Sequence, residues 1–242
     1  MFRKANLLSS LAWMALASAA TIGSAHASTF TVSGSGSDGA LSAQADFTIT
    51  NGQIVVTLTN TLSASTIVSV GQAISDLSFN LSNLAGTPGT AMASGQQGNV
   101  NSGATVTYTT GSPGRFIGVG GGSYTVSGDT VSLEAIGGSQ PTELILPFIA
   151  NGGTYASGNP GLVSHNPYTI GPATFTLALS GVTSSTTITG VTFSFGTGPD
   201  TFLQTGSNPP PPIPEPASIA LFGTGMAGLA AMLRRRFHMP TA

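Results

Sequence analysis

Residues 41–60 read LSAQADFTITNGQIVVTLTN. Leu41, Ala43, Ala45, Phe47 and Ile49 alternate with Ser42, Gln44, Asp46, Thr48 and Thr50. A period of two is the signature of a strand with one buried face. Asn51-Gly52 interrupts the alternation, and Ile54, Val56 and Leu58 resume it. Both interrupting residues tolerate positive φ, which a type I′ turn needs at its two central positions. Two alternating runs around Asn-Gly predict an antiparallel hairpin.

The same pattern extends outward in both directions. Residues 30–33 alternate briefly, and Gly34-Ser35-Gly36-Ser37-Asp38-Gly39 then matches G-x-G-x-x-G. A dinucleotide site needs a helix directly after that motif. The strand at 41–50 follows instead, so the glycines predict a hairpin loop. Downstream, Leu77, Phe79 and Leu81 share one face of residues 74–81, and Val106 and Tyr108 mark a short strand over 105–109. Residues 115–119 give a weaker strand signal. Tyr124 and Val126, then Gly128-Asp129, then Val131 and Leu133, form a second hairpin pattern. Residues 143–150 are apolar, but Pro147 lacks a backbone donor, which predicts a sheet edge or a bulge. Phe175, Leu177 and Leu179, then Val191, Phe193 and Phe195, complete the series. Residues 83–103 and 151–172 are rich in Gly, Asn and other turn formers and predict long loops.

Roughly nine or ten strands and no amphipathic helix predict an all-β body. One-faced strands predict antiparallel sheets packed face to face, a jelly-roll-like β-sandwich over residues 28–204, with a closed barrel as the alternative.

The chain has 242 residues and a formal net charge of −2. That value conceals a segregation. Between the two ends stands one basic residue, Arg115, against Asp38, Asp46, Asp76, Asp129, Glu134, Glu143 and Asp200, a balance of −6. Phosphate neutralisation needs Lys and Arg, so nucleic acid is excluded as a partner. Charged residues make up 6% of the chain, against about 25% in ordinary domains. The solvent face must therefore be built of Ser, Thr, Asn, Gln and Gly. No cysteine is present, which removes disulfides and thiolate metal sites.

Little in the body points to catalysis. Its single histidine, His165, lies in a loop stretch, and no G-x-S-x-G elbow accompanies it. Glu134 and Glu143 are the only body glutamates, and they are the candidates for a glycosidase carboxylate pair. Both read as outward, solvated positions. Asp38, or Asp129 with Glu134, offers oxygen ligands for Ca2+, but no D-x-[DN]-x-[DN] loop frames them. The only tryptophan, Trp13, lies outside the body, which weakens sugar stacking. The expectation is no catalytic, cofactor-binding or metal-binding residue, and no enzyme.

Both ends carry targeting patterns. Arg3 and Lys4 precede a mostly apolar stretch over 7–20, and Ala25-His26-Ala27 supplies small residues at the first and third positions of a signal-peptidase site. Residues 1–27 read as a signal peptide cut between Ala27 and Ser28. At the other end, residues 205–213 are a Pro-rich linker, stiff in the polyproline II form. Residues 217–233 carry no charge. As a helix they span about 26 Å, a minimal crossing of a hydrocarbon core of about 30 Å. Arg234, Arg235 and Arg236 follow directly and place that end in the cytoplasm by the positive-inside rule.

Pro214-Glu215-Pro216, an apolar span and an arginine cluster, in that order at the C-terminus, resemble the PEP-CTERM sorting signal of Gram-negative bacteria over residues 214–238. The resemblance implies that exosortase recognises Pro214, Glu215 and Pro216 and processes the tail. It implies that the transmembrane helix and the arginine stop signal hold the substrate in the membrane meanwhile. It also associates the chain with exopolysaccharide and biofilm. The resulting expectation is an exported envelope or surface protein with a structural or matrix role. A polysaccharide-binding module and a secreted hydrolase are the alternatives.

Overall fold

The computed structural model describes residues 25–83, 86–109, 123–134, 143–197 and 204–206. The strands in chain order are β1 (His26–Gly36), β2 (Gly39–Thr50), β3 (Gln53–Asn60), β4 (Ile74–Leu81), β5 (Pro88–Ser94), β6 (Gln97–Val100) and β7 (Val106–Tyr108). They continue with β8 (Ser123–Ser127), β9 (Thr130–Glu134), β10 (Ile145–Leu146), β11 (Tyr168–Ile170), β12 (Ala173–Leu179), β13 (Ile188–Phe195) and β14 (Gln204–Thr205). Among the described residues one five-residue α-helix, α1 (Pro160–Ser164), precedes β11.

The strands form two sheets. The first has the order β1-β2-β3-β12-β5. The second has nine strands along β14-β13-β4-β10-β11-β6-β7 and forks at β4, which pairs with β10 through Ile74 and with β9 through residues 76–80. All described pairs are antiparallel except β10–β11.

The alternation seen in the sequence sets the core. Leu41, Ala43, Ala45, Phe47, Ile49, Ile54, Val56 and Leu58 are all buried, as are Leu77, Phe79 and Leu81 from the second sheet. Phe47 and Phe79 bring the two sheets into contact, their ring centroids 5.0 Å apart at 66°. Edge-to-face rings at this spacing add about 1 kcal/mol to their area burial.

Gln72 ties the start of the second sheet to the first. It is 1% exposed. Its Nε2 donates to the Ala40 and Thr66 carbonyls, both at 3.1 Å. Its Oε1 accepts from the Val68 and Ser69 amides at 2.7 and 3.2 Å. Ser69 and Gln72 also close a capping box on a short 3-10 turn. Asn60 works beside it, donating to the Gln72 and Ile145 carbonyls at 2.8 and 3.2 Å.

Several expectations are corrected. The Asn51-Gly52 hairpin forms in the expected register, with Thr50 opposite Gln53. Only Gly52 takes positive φ, at 75°, so the turn is not type I′. Tertiary bonds govern it instead: Gly52 N–H donates to the Val182 carbonyl at 2.8 Å, and Asn51 Oδ1 accepts from the Ser184 amide at 2.9 Å. Gly34, Ser35 and Gly36 extend β1, leaving Ser37-Asp38 as the turn. The long loop expected over 83–103 contains β5 and β6, and that over 151–172 contains α1 and β11. Pro147 lies at neither a sheet edge nor a bulge. It follows β10, which sits inside the second sheet between β4 and β11.

β1 begins at His26, which pairs with Ile49, so the expected Ala27–Ser28 junction lies inside a paired strand. The rest of the expected signal peptide, residues 115–119, the greater part of the linker and the tail from 214 onward lie outside the described residues. Among the described residues no helix is long and apolar enough to cross a membrane.

Candidate functional site

The outer face of the second sheet carries a hollow over β9, β4 and β13. Alternation explains its lining. In β4, Leu77 and Phe79 turn into the core, which turns Asp76 and Ser78 outward. In β9, Val131 and Leu133 are buried, leaving Ser132 and Glu134 on the other face. In β13, Val191 and Phe193 are buried and Thr192 and Ser194 face away.

Register then brings these residues into two rows. Asp76 stands opposite Glu134 on one side and Ser194 on the other, and Ser78 stands between Ser132 and Thr192. Directly opposed residues place their Cβ atoms about 4.5–5.5 Å apart. With Leu77 these six line a hollow of about 190 Å³. Asp76 is 7% exposed and Ser194 3%, so the floor is well withdrawn from solvent while Glu134 stays half-buried.

The polar side chains of this lining are oxygen groups throughout: two carboxylates and four hydroxyls. Such a set accepts hydrogen bonds strongly and suits a ligand that offers hydroxyl donors. Two carboxylates on neighbouring strands have the residue types of a glycosidase pair. Glu143, the other member of the candidate pair, does not line the hollow. Glu143 is buried at 3% exposure, with φ at 64°, and its Oε1 accepts from Gln97 Nε2 at 2.5 Å. The outward, solvated position expected for Glu143 is therefore corrected. Packing beneath β6 and β11 overrides the simple alternation of its segment.

His165 does not reach the hollow either. It caps the end of α1, half-buried, with Nδ1 2.6 Å from the Gly161 carbonyl and 3.1 Å from Ser164 Oγ. Asp38 lies in the β1–β2 turn, its carboxylate packed over Gly71, and Asp129 lies in the β8–β9 turn. Among the described residues no three potential metal-ligating side chains converge. Ala25 immediately precedes β1, and Ala27 and Ser28 lie in its first residues. Pro214, Glu215, Pro216 and the three arginines lie outside the described residues.

Sequence reading did not single out Asp76 as a site residue. The available signal was a carboxylate directly before Leu77 in Ile74-Ser75-Asp76-Leu77, on the polar side of a strand that proves central.

Residues 212–236 match the family model of the PEP-CTERM protein-sorting motif. The chain thus carries that sorting motif at its C-terminal end, which implies export and sorting to the envelope or surface. No curated protein and no solved structure matches the chain.

Proposed function

We infer that the chain is a non-catalytic structural or matrix component of the cell surface, its body a β-sandwich delivered by the C-terminal motif. The observation that carries this is the sorting motif at 212–236 behind a body poor in charged residues. In this reading signal peptidase cuts after Ala27 and the helix over 217–233 halts export. Arg234, Arg235 and Arg236 stay cytoplasmic, and exosortase acts at Pro214-Glu215-Pro216. A hydroxyl-rich surface with few and mostly acidic charges then meets hydrated polymer with little non-specific ionic attraction. Glu215→Ala, or loss of exosortase, leaves an unprocessed membrane-bound form on immunoblots of membrane fractions. Normal tail processing in both backgrounds refutes the sorting role.

A second reading, a polysaccharide-binding module, draws on the oxygen-lined hollow at Asp76 and Glu134. A glycan array separates the two. Binding that Asp76→Asn weakens supports the module, and a folded body that retains no glycan leaves the structural role.

A further inference from the structure

A second polar cluster lies away from the hollow, at the β6–β7–β11 end of the same sheet. Gln97 stands opposite Thr169 of β11. On its other side the Thr109 amide donates to the Gln97 carbonyl at 3.0 Å, which places Thr109 opposite Gln97 just beyond β7. Alternation turns Val100 and Val106 into the core, so Gln97, Thr109 and Thr169 share the opposite face. Gln97 and Thr169 are nevertheless about nine-tenths buried, at 9% and 8% exposure, with Glu143 at 3%. The Thr109 hydroxyl is buried and has no hydrogen-bond partner. Buried hydroxyls without partners are uncommon in native proteins.

The geometry points to an ester cross-link between Thr109 and Gln97, formed within the folded domain with Glu143 as the acid–base group. Three features converge. The nucleophile is a buried hydroxyl with no competing bond. The electrophile is a carboxamide on the directly opposed residue, with Cβ atoms about 4.5–5.5 Å apart. Glu143 Oε1 lies 2.5 Å from Gln97 Nε2, the atom that has to leave.

The Thr109 hydroxyl, unbonded in the resting structure, turns toward Glu143, and Oγ1 attacks Gln97 Cδ while the carboxylate takes the hydroxyl proton. The tetrahedral adduct collapses as the C–N bond breaks, and Glu143 returns the proton to Nε2, which departs as ammonia. A hydroxyl and an amide become an ester and ammonia, with no oxidant or other reactant. In a chain without cysteine, such a bond would clamp the β6–β7 hairpin covalently.

The test is a mass-spectrometric peptide map of the full-length protein, unfolded and digested with chymotrypsin. The linked form makes the material holding Gln97 and Thr109 about 17 Da lighter than its sequence, the mass of the ammonia lost on acyl transfer. Fragmentation places the deficit on Gln97, and hydroxylamine opens the link, leaving a hydroxamate there. Thr109→Val keeps the residue's shape and abolishes the deficit. Glu143→Gln slows its appearance by at least about tenfold, since general acid–base groups contribute about 100- to 10,000-fold. Unlinked peptides of unmodified mass from the wild-type protein overturn the proposal. A deficit that persists in Thr109→Val, or a link that maps to Thr169, overturns it too.

Discussion

Replacing Gln72 with Leu tests whether a buried amide, rather than apolar contact alone, fixes how the two sheets meet. The side chain is 1% exposed and makes four hydrogen bonds, two as donor and two as acceptor. Leucine fills a similar volume, so the cavity contribution is small. The four bonds are lost together, and a buried polar group left without its partner costs about 1–3 kcal/mol. One of the four is the Ser69 amide's half of the capping box, so no further bond is added for it. Water reaches some of the exposed loop partners, and the leucine recovers about 1 kcal/mol of transfer energy. The expected net loss is about 3–5 kcal/mol. Guanidinium unfolding followed by circular dichroism measures it as a lower midpoint at unchanged slope. Gln44→Ala is the control. Gln44 is half-buried and bonds through Nε2 to Asp46 at 2.8 Å, and its loss should cost under about 1 kcal/mol. A Gln72→Leu loss below about 1 kcal/mol refutes the reasoning, since the sheets would then be joined by apolar packing alone.

Further outcomes follow from the same structure. A Cβ built on Gly98 comes within 2.9 Å of Ile170 Cγ1 and 3.3 Å of the Thr107 carbonyl. Gly98→Val should therefore destabilise by about 1–3 kcal/mol through overpacking, read by the same unfolding curve. Burial pushes the Tyr155 and Tyr168 hydroxyls well above the ordinary phenol range, with repulsion from Tyr108 and Tyr155 respectively adding to it. A raised folded-state value means stability is fully present below the unfolded value near 10 and falls as pH rises past it, by about 1.4 kcal/mol per unit for each group. Titrating the unfolding midpoint from pH 8 to 12 checks this, and Tyr155→Phe should flatten the alkaline fall. Glu134 faces Asp76 directly across the β4–β9 pair, and like charges so placed are destabilising. Glu134→Gln should thus leave stability equal or higher by up to about 1 kcal/mol in low salt, and a clear loss would show that the carboxylate has a structural role.

The strands with clean alternation were legible in the sequence, and the short ones were not. β2 and β3 bury every second residue, so periodicity alone located them and their core faces. β6 is four residues with Gln97 and Gly98 buried alongside Val100, a pattern indistinguishable from a polar loop. Its stability comes from pairing with β7 and β11, which no local window contains. The same holds for the hollow. Ser78, Ser132 and Thr192 look like ordinary outward strand positions, and only the pairing of β4 with both β9 and β13 gathers them around Asp76. Glu143 was misplaced because its burial depends on Gln97, 46 residues away. Composition, by contrast, spoke directly, because the charge segregation needed no fold to be seen.

The first strand has a consequence for the order of events during secretion. β1 is paired with β2 from His26↔Ile49 through Gly36↔Gly39. A protease that cuts between Ala27 and Ser28 must bind that backbone extended and unpaired. If the leader is cut there, the bond would be a substrate only before β2 closes on it. A precursor that folds first shields that bond with Phe47 and Thr48, the partners of Ser28 and Ala27 at the far end of β2. On the proposed reading, in which the leader is removed there, closure of the turn at Ser37-Asp38 would compete with cleavage. Slower closure would then favour removal of the leader, and faster closure a folded protein that keeps it.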